Sequence, residues 1–258
     1  MFWLKTLRIF GYAMAGTAVF VFAKWLVHLF GLEVIEQSSL HNSLVSSAIF
    51  VIGFVMSATI ADYKESERIP ADFASAIENM YEDAREIHKT YPGFDIDIFR
   101  KELLDILAIF REGTRAKRKG TRREISELNT TFGQMEKAGV PANYVVKLKQ
   151  QQAVLLRHVY RVNYIQRIKF IPSSTVLVRS ITLLVLLVLL LTNVDPYYSG
   201  LIITGLISFV LLYMVILIQN INTPFKPSGA SVDDVSLFLL QETKEYLQSR
   251  AKNEKLDK

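Results

Sequence analysis

The sequence predicts an all-α membrane protein in which four helices cross a bilayer as two hairpins and a helical domain lies outside it. Three observations carry that reading. Hydrophobic residues make up 50% of the 258-residue chain, more than an ordinary soluble domain uses. The excess is concentrated in four apolar segments, residues 9–30, 43–60, 173–193 and 201–219, each close to the ~20 residues needed to cross a hydrocarbon core. A polar stretch, residues 62–172, separates the second segment from the third, and a polar link and helix at 220–258 follow the fourth.

The first segment carries Lys24 and His28, four residues apart and on one helical face near its outer end. Lys24 is expected to snorkel toward the outer headgroups, the alternative being that its face borders an aqueous vestibule. Lys5 and Arg8 precede this run as they would in a signal peptide, but the run is longer than an h-region and contains Lys24, so it is read as a retained span.

The links at 31–42 and 192–200 contain Glu33, Glu36 and Asp195 but no Lys or Arg. The positive-inside rule therefore puts both links outside, with the two termini and the 62–172 insert in the cytoplasm of a cell-membrane protein. The same bias accounts for the net charge of +5 without a nucleic-acid partner.

The second segment organises the chain. Ser43, Ser46, Ser47, Gly53 and Ser57 fall at helical spacing around Phe50 and Phe54, so one face carries hydroxyls outside, two aromatic rings in the middle and small residues inside. Such a face either packs closely against another helix or lines a pore. Around an axis shared by several copies, Ser46, Phe50 and Phe54 would stack as three rings, and the aromatic pair would form a constriction able to gate by dewetting.

Beyond Ile60 the helix becomes charged, and Pro70 is expected to end it and open a new one. Phe73, Ile77, Met80, Ala84, Ile87 and Tyr91 mark an amphipathic helix that stops at Pro92 and Gly93. Asp95 or Asp97 caps the next helix, whose apolar face is Phe99, Leu103, Ile106, Leu107 and Phe110. Arg115–Glu124, RAKRKGTRRE, is a dense basic run without interleaved aromatics, read as a solvated helix connection or an attractor for anions or anionic lipid.

Ile125, Leu128, Phe132 and Met135 mark a short helix. Val145, Leu148, Gln152, Leu155, Val159 and Val162 mark a long one expected to reach Ile171. Pro172 breaks it, and Arg179, early in the third span, can reach back to the cytoplasmic headgroups. After the fourth span, Asp233 or Asp234 can cap a final amphipathic helix.

The chain has no cysteine, which excludes disulfides and thiolate chemistry. His28, His41, His88 and His158 are dispersed, no phosphate loop is present, and no nucleophile sits beside a base. Neither an enzyme nor a bound cofactor is expected.

With these features in place, the chain resembles the bestrophin superfamily of ion channels at three points. FVIGF at Phe50–Phe54 is similar to that family's neck, with Ser46 one turn before it. RIKFIPSSTVLVRSITLL at Arg167–Leu184 is similar to the entry to its third span, and NTPFKPSGASVDD at Asn222–Asp234 to its Asn-Pro-Phe-Gly link and acidic cluster. The resemblance implies a homopentamer whose second span lines a central pore, with Phe50 and Phe54 as the neck and a cytosolic chamber below. Asp62–Tyr63–Lys64 stands where the family has an arginine-tryptophan-tryptophan signature. The acidic cluster is reduced to Asp233 and Asp234, so a calcium site is not carried over.

The expected function is passive conduction of monovalent ions. They would enter an outer vestibule lined by Asn42, Ser43, Ser46 and Ser47, cross the Phe50/Phe54 neck, and leave past Ser57, Asp62 and Glu65. The basic insert leans the expectation toward anions such as chloride, whereas Asp62 and Glu65 favour a cation channel. A further alternative is a non-conducting membrane scaffold or sensor whose helical cytoplasmic domain binds a partner.

Overall fold

A computed structural model describes residues 2–116, 121–167, 172–225 and 234–256. Those residues form eight helices and one pair of two-residue strands, and four of the helices are long and apolar enough to cross a membrane. The chain divides between Tyr63 and Lys64 into two compact units.

The first unit contains α1 (Phe2–Leu29), β1 (Ile35–Glu36), the part of α2 (Ser39–Thr90) up to Tyr63, α6 (Pro172–Leu191), β2 (Thr192–Asn193) and α7 (Tyr197–Ile221). α1 packs along α7, and glycines on both helices permit the approach. A β-carbon on Gly16 would meet Leu212 at 3.0 Å, and one on Gly205 would meet Val21 at 3.2 Å. Phe10 meets Phe209 edge to face, with centroids 5.5 Å apart. A second core joins α2, α6 and α7 through Val45, Ala48, Ile52, Val55, Val178, Val185, Leu189, Leu211, Val215 and Ile218.

Hydroxyls inside these helices bond carbonyls of their own helix, Thr59 to Val55 and Thr204 to Gly200 each at 2.8 Å. No hydrocarbon-facing donor is left over at either position. α1 begins several residues before the expected span and α7 four residues before it. The third helix stops at Leu191, because Thr192 and Asn193 leave it to pair as a parallel strand with Ile35 and Glu36. This strand pair is the small departure from an all-helical chain.

The second unit contains α2 from Lys64, α3 (Ile96–Ala116), α4 (Thr121–Lys137), α5 (Ala142–Arg167) and α8 (Phe238–Leu256). Pro70 does not end α2, contrary to the sequence expectation. It removes one backbone donor and crowds the carbonyl four residues back, a cost of ~3 kcal/mol. Ile69, Phe73, Ala74 and Ile77 are all buried around it, and Phe73 stacks on Phe110 with centroids 3.7 Å apart. At ~1.5–3 kcal/mol per buried apolar side chain, that packing outweighs the proline.

Asp95, rather than Asp97, caps α3, its Oδ1 accepting from the backbone of Asp97 at 2.8 Å and Ile98 at 3.1 Å. The predicted apolar faces of α3, α4 and α5 are all buried. α4 ends where Gly139, at φ +82°, takes the left-handed conformation that returns Val140 N–H to the Met135 carbonyl. The described part of α5 ends at Arg167, so the expected end at Ile171 lies outside the described residues, as do residues 117–120 of the basic run.

α8 lies on α2 and α3 through polar bonds. Thr243 donates to Glu78 at 2.6 Å, Tyr246 to Glu82 at 2.5 Å, and Arg111 to Gln241 at 2.6 Å. Asp234 precedes Phe238 by four residues and does not cap this helix, while Asp233 lies outside the described residues.

Glu102, on α3, provides a pH test of this unit. Burial raises its carboxyl above the usual range; the Thr131 hydroxyl, at 2.8 Å, pulls partly back, and Glu127 and Asp105 push the same way as burial. A raised pKa contributes stability at low pH that is lost as pH rises from the ordinary glutamate value through the folded one. Glu102→Gln is therefore expected to gain stability relative to the parent as pH rises through that window, read by thermal unfolding at a series of pH values.

Candidate functional site

Residues 42–59 of α2 carry two opposite faces. Val45, Ala48, Ile52, Val55 and Thr59 turn inward and are buried. Ser43, Ser46, Ser47, Phe50, Phe54, Ser57 and Ala58 turn away from the chain and are exposed. Phe50 is 75% and Phe54 72% exposed, so neither ring fills a space between helices of its own chain. A side chain on Gly53 would meet nothing within 4 Å. The structure thus brings Ser46, Phe50 and Phe54 together on one open face with Asn42, Ser43, Ser47 and Ser57.

That face differs from the exposed faces of the other three long apolar helices in the same unit. α6 presents Val176, Leu177, Leu183, Leu184 and Leu187, and α7 presents Ile202, Ile203, Leu206 and Val210. α1 presents Val19, Phe22 and Trp25. These are surfaces that suit lipid, whereas the open face of α2 is built from hydroxyls, small residues and two rings. Only the Ser43 hydroxyl has a described partner on it, the Ser39 carbonyl at 2.9 Å. Hydroxyls can replace part of an ion's hydration, and apolar rings exclude water.

Asp62 is half-buried at the end of the first unit. Glu65 belongs to the second, where it accepts from Arg161 at 2.8 Å. Its charge is therefore partnered within the chain. Among the described residues no three His, Asp or Glu side chains come together as a metal ion would require.

Neither expected role of Lys24 holds. Its side chain is 2% exposed, so it neither snorkels to headgroups nor faces a vestibule. The ammonium donates to Glu33 Oε1 at 2.5 Å, to the Leu190 carbonyl at 3.2 Å and to the Thr192 carbonyl. Its three donors are thereby satisfied, two of them by carbonyls at the C-terminal end of α6, where the helix dipole favours a cation.

Glu33 was not singled out by the sequence. Its side chain is 8% exposed, and its second oxygen lies 2.8 Å from His28 Nδ1. The reversal that brings it back to α1 depends on Gly31 at φ +64°, with Leu32 N–H bonding the Val27 carbonyl. Burial acts to raise the Glu33 carboxyl, but the bonds from His28 and Lys24 outweigh it and hold the group below the usual carboxylate range. The His28 ring stacks on Tyr197 at 3.7 Å. A Glu following Lys24 across a glycine turn is the signal that was present in the sequence.

No family model and no curated protein sequence matches the chain. Solved structures do. A variant of a bacterial bestrophin homologue from Klebsiella pneumoniae aligns with a TM-score of 0.76 at 13% identity over 95% of this chain and 97% of that one. A second variant of that homologue aligns at 0.74 and 14% identity, over 94% and 97%. A structure described as a membrane protein aligns at 0.75 and 14% identity, over 92% and 97%. The chain has the fold of these bestrophin homologues.

Proposed function

We propose that this chain, with the fold of the bacterial bestrophin homologues, is the subunit of a homopentameric ion channel whose central pore is lined by the open face of α2. The observation that carries the reading is the contrast between faces. Among the described residues of the first unit, α2 exposes Ser43, Ser46, Ser47 and Ser57 around Phe50 and Phe54, whereas the exposed faces of α1, α6 and α7 are mainly apolar. Set around a common axis, that face is removed from lipid and given to water and ions.

In this reading Asn42, Ser43, Ser46 and Ser47 line the outer vestibule and exchange hydroxyl oxygens for water around an entering ion. Phe50 and Phe54 form the neck, whose apolar rings dewet when narrow. Ser57 and Asp62 follow on the inner side. Residues 62–172 and 220–258 form the cytoplasmic part, and the basic composition of that insert favours anions by raising their local concentration.

Reconstitution of the purified chain with asymmetric chloride salt tests the proposal. A fivefold particle and a current reversing toward the anion equilibrium potential are expected. Reversal toward the cation potential would replace the anion preference with a cation one, and a monomer or dimer without current would leave the chain a scaffold.

The orientation is tested in the same preparation. Cysteines placed singly at Gln37 and Lys149 are expected to react with a membrane-impermeant thiol reagent from outside and inside respectively. The reverse pattern would invert the topology.

A further inference from the structure

The link between α1 and α2 carries more than a turn. Lys24, from α1, is held by Glu33 of the link and by carbonyls of Leu190 and Thr192 at the end of α6. His28, also from α1, is held by Glu33 and stacks on Tyr197, the first residue of α7. β1 then pairs with β2 in register, Ile35 to Thr192 and Glu36 to Asn193. Only Gln37 and Ser38 separate β1 from the first residue of α2. Asn42 and Ser43 lie in the first turns beyond.

We infer that Glu33, clamped between Lys24 and His28, is a positioning residue for the outer end of α2: through β1 and a two-residue connection it fixes where Asn42 and Ser43 stand. A helix end otherwise frays, because its first N–H groups lack intrahelical partners. Here the chain entering α2 is tied at both sides of its short link, to a buried ammonium and to a strand. Loss of the carboxylate leaves the two-residue strand pair, and the Ser38 hydroxyl that accepts from His41 N–H at 3.3 Å, as the remaining ties at this end, and two paired residues hold a chain weakly. The mobility of the outer turns of α2 then rises.

This inference rests on the channel reading only for its functional consequence, a change in conductance at the outer mouth; the positional claim stands without it. The test uses the cysteine-free full chain with one nitroxide attached at Asn42→Cys, in the parent and in Lys24→Met/Glu33→Gln. The double variant removes both charges together, so no lone charge is left buried and the fold survives.

The expected result is a label several-fold more mobile in the double variant than in the parent, with a label at Lys149→Cys unchanged in both. If the protein conducts, its unit conductance changes with the label. An unchanged nitroxide spectrum at position 42 in a folded double variant would overturn the positioning role. Absence of current in both proteins, with the label freed, would overturn the channel reading and leave the positioning role standing.

Discussion

Replacing Phe50 and Phe54 together by Ala is expected to raise conductance or open probability severalfold while leaving folding, assembly and ion sign little changed. Burial decides the stability side of this prediction. A Phe packed in a core costs ~3–5 kcal/mol when cut to Ala, because the transfer energy is lost and a cavity remains. Phe50 and Phe54 are 75% and 72% exposed in the chain, so no intrachain cavity forms and the cost falls to the scale of surface substitutions, roughly 0.5 kcal/mol.

The functional side follows from what the rings would do as the neck of the proposed pore. Each ring presents apolar surface that water and ions enter only at a free-energy cost, and two successive rings lengthen that barrier. Shrinking both widens and wets the constriction. Neither ring carries charge, so selection between cations and anions is left where it was. Expression yield, particle size and single-channel current for Phe50→Ala, Phe54→Ala and the pair check this. Well-assembled variants with unchanged current would remove the neck from these residues, and collapse of assembly would make them packing residues between subunits instead.

The helices and their buried faces were legible in the sequence because one-sided burial writes itself as a 3.6-residue period. Phe99, Leu103, Ile106 and Phe110 are predicted and buried, as are Ile125, Leu128 and Phe132. Pro70 was not legible. Its cost is local and visible, whereas the packing that overrides it comes from Phe110, which stacks on Phe73 from a different helix. Asp234 likewise reads as a cap from its residue type, yet the helix starts four residues later.

The open face of α2 was legible for a different reason. Its residue types alternate with the helix turn, and burial of Val45, Ala48, Ile52 and Val55 leaves Ser46, Phe50 and Phe54 outward. What a period cannot report is the charge partner of a residue. Lys24 obtains one acceptor nine positions away across the Gly31 turn, and two more over 160 positions away at the end of α6. A rule based on a single span therefore sends Lys24 to the headgroups, when three oxygens supplied by the rest of the fold hold it in place.

Lys24→Met alone is therefore expected to destabilise the protein by ~3–5 kcal/mol, far more than loss of a snorkelling lysine would. The lysine's removal leaves the Glu33 carboxylate buried with only the His28 Nδ1 contact, and leaves the Leu190 and Thr192 carbonyls short of a donor. Glu33→Gln alone fails in the mirror way, leaving an ammonium buried against carbonyls without a counter-ion. The two together cost less than either, since a buried pair replaced by neutral side chains of similar volume is often near neutral. A thermal-unfolding cycle of parent, both single variants and the double measures that coupling. Single variants as stable as the parent would return Lys24 to the membrane surface. Additive losses would mean that the two side chains stabilise the fold independently.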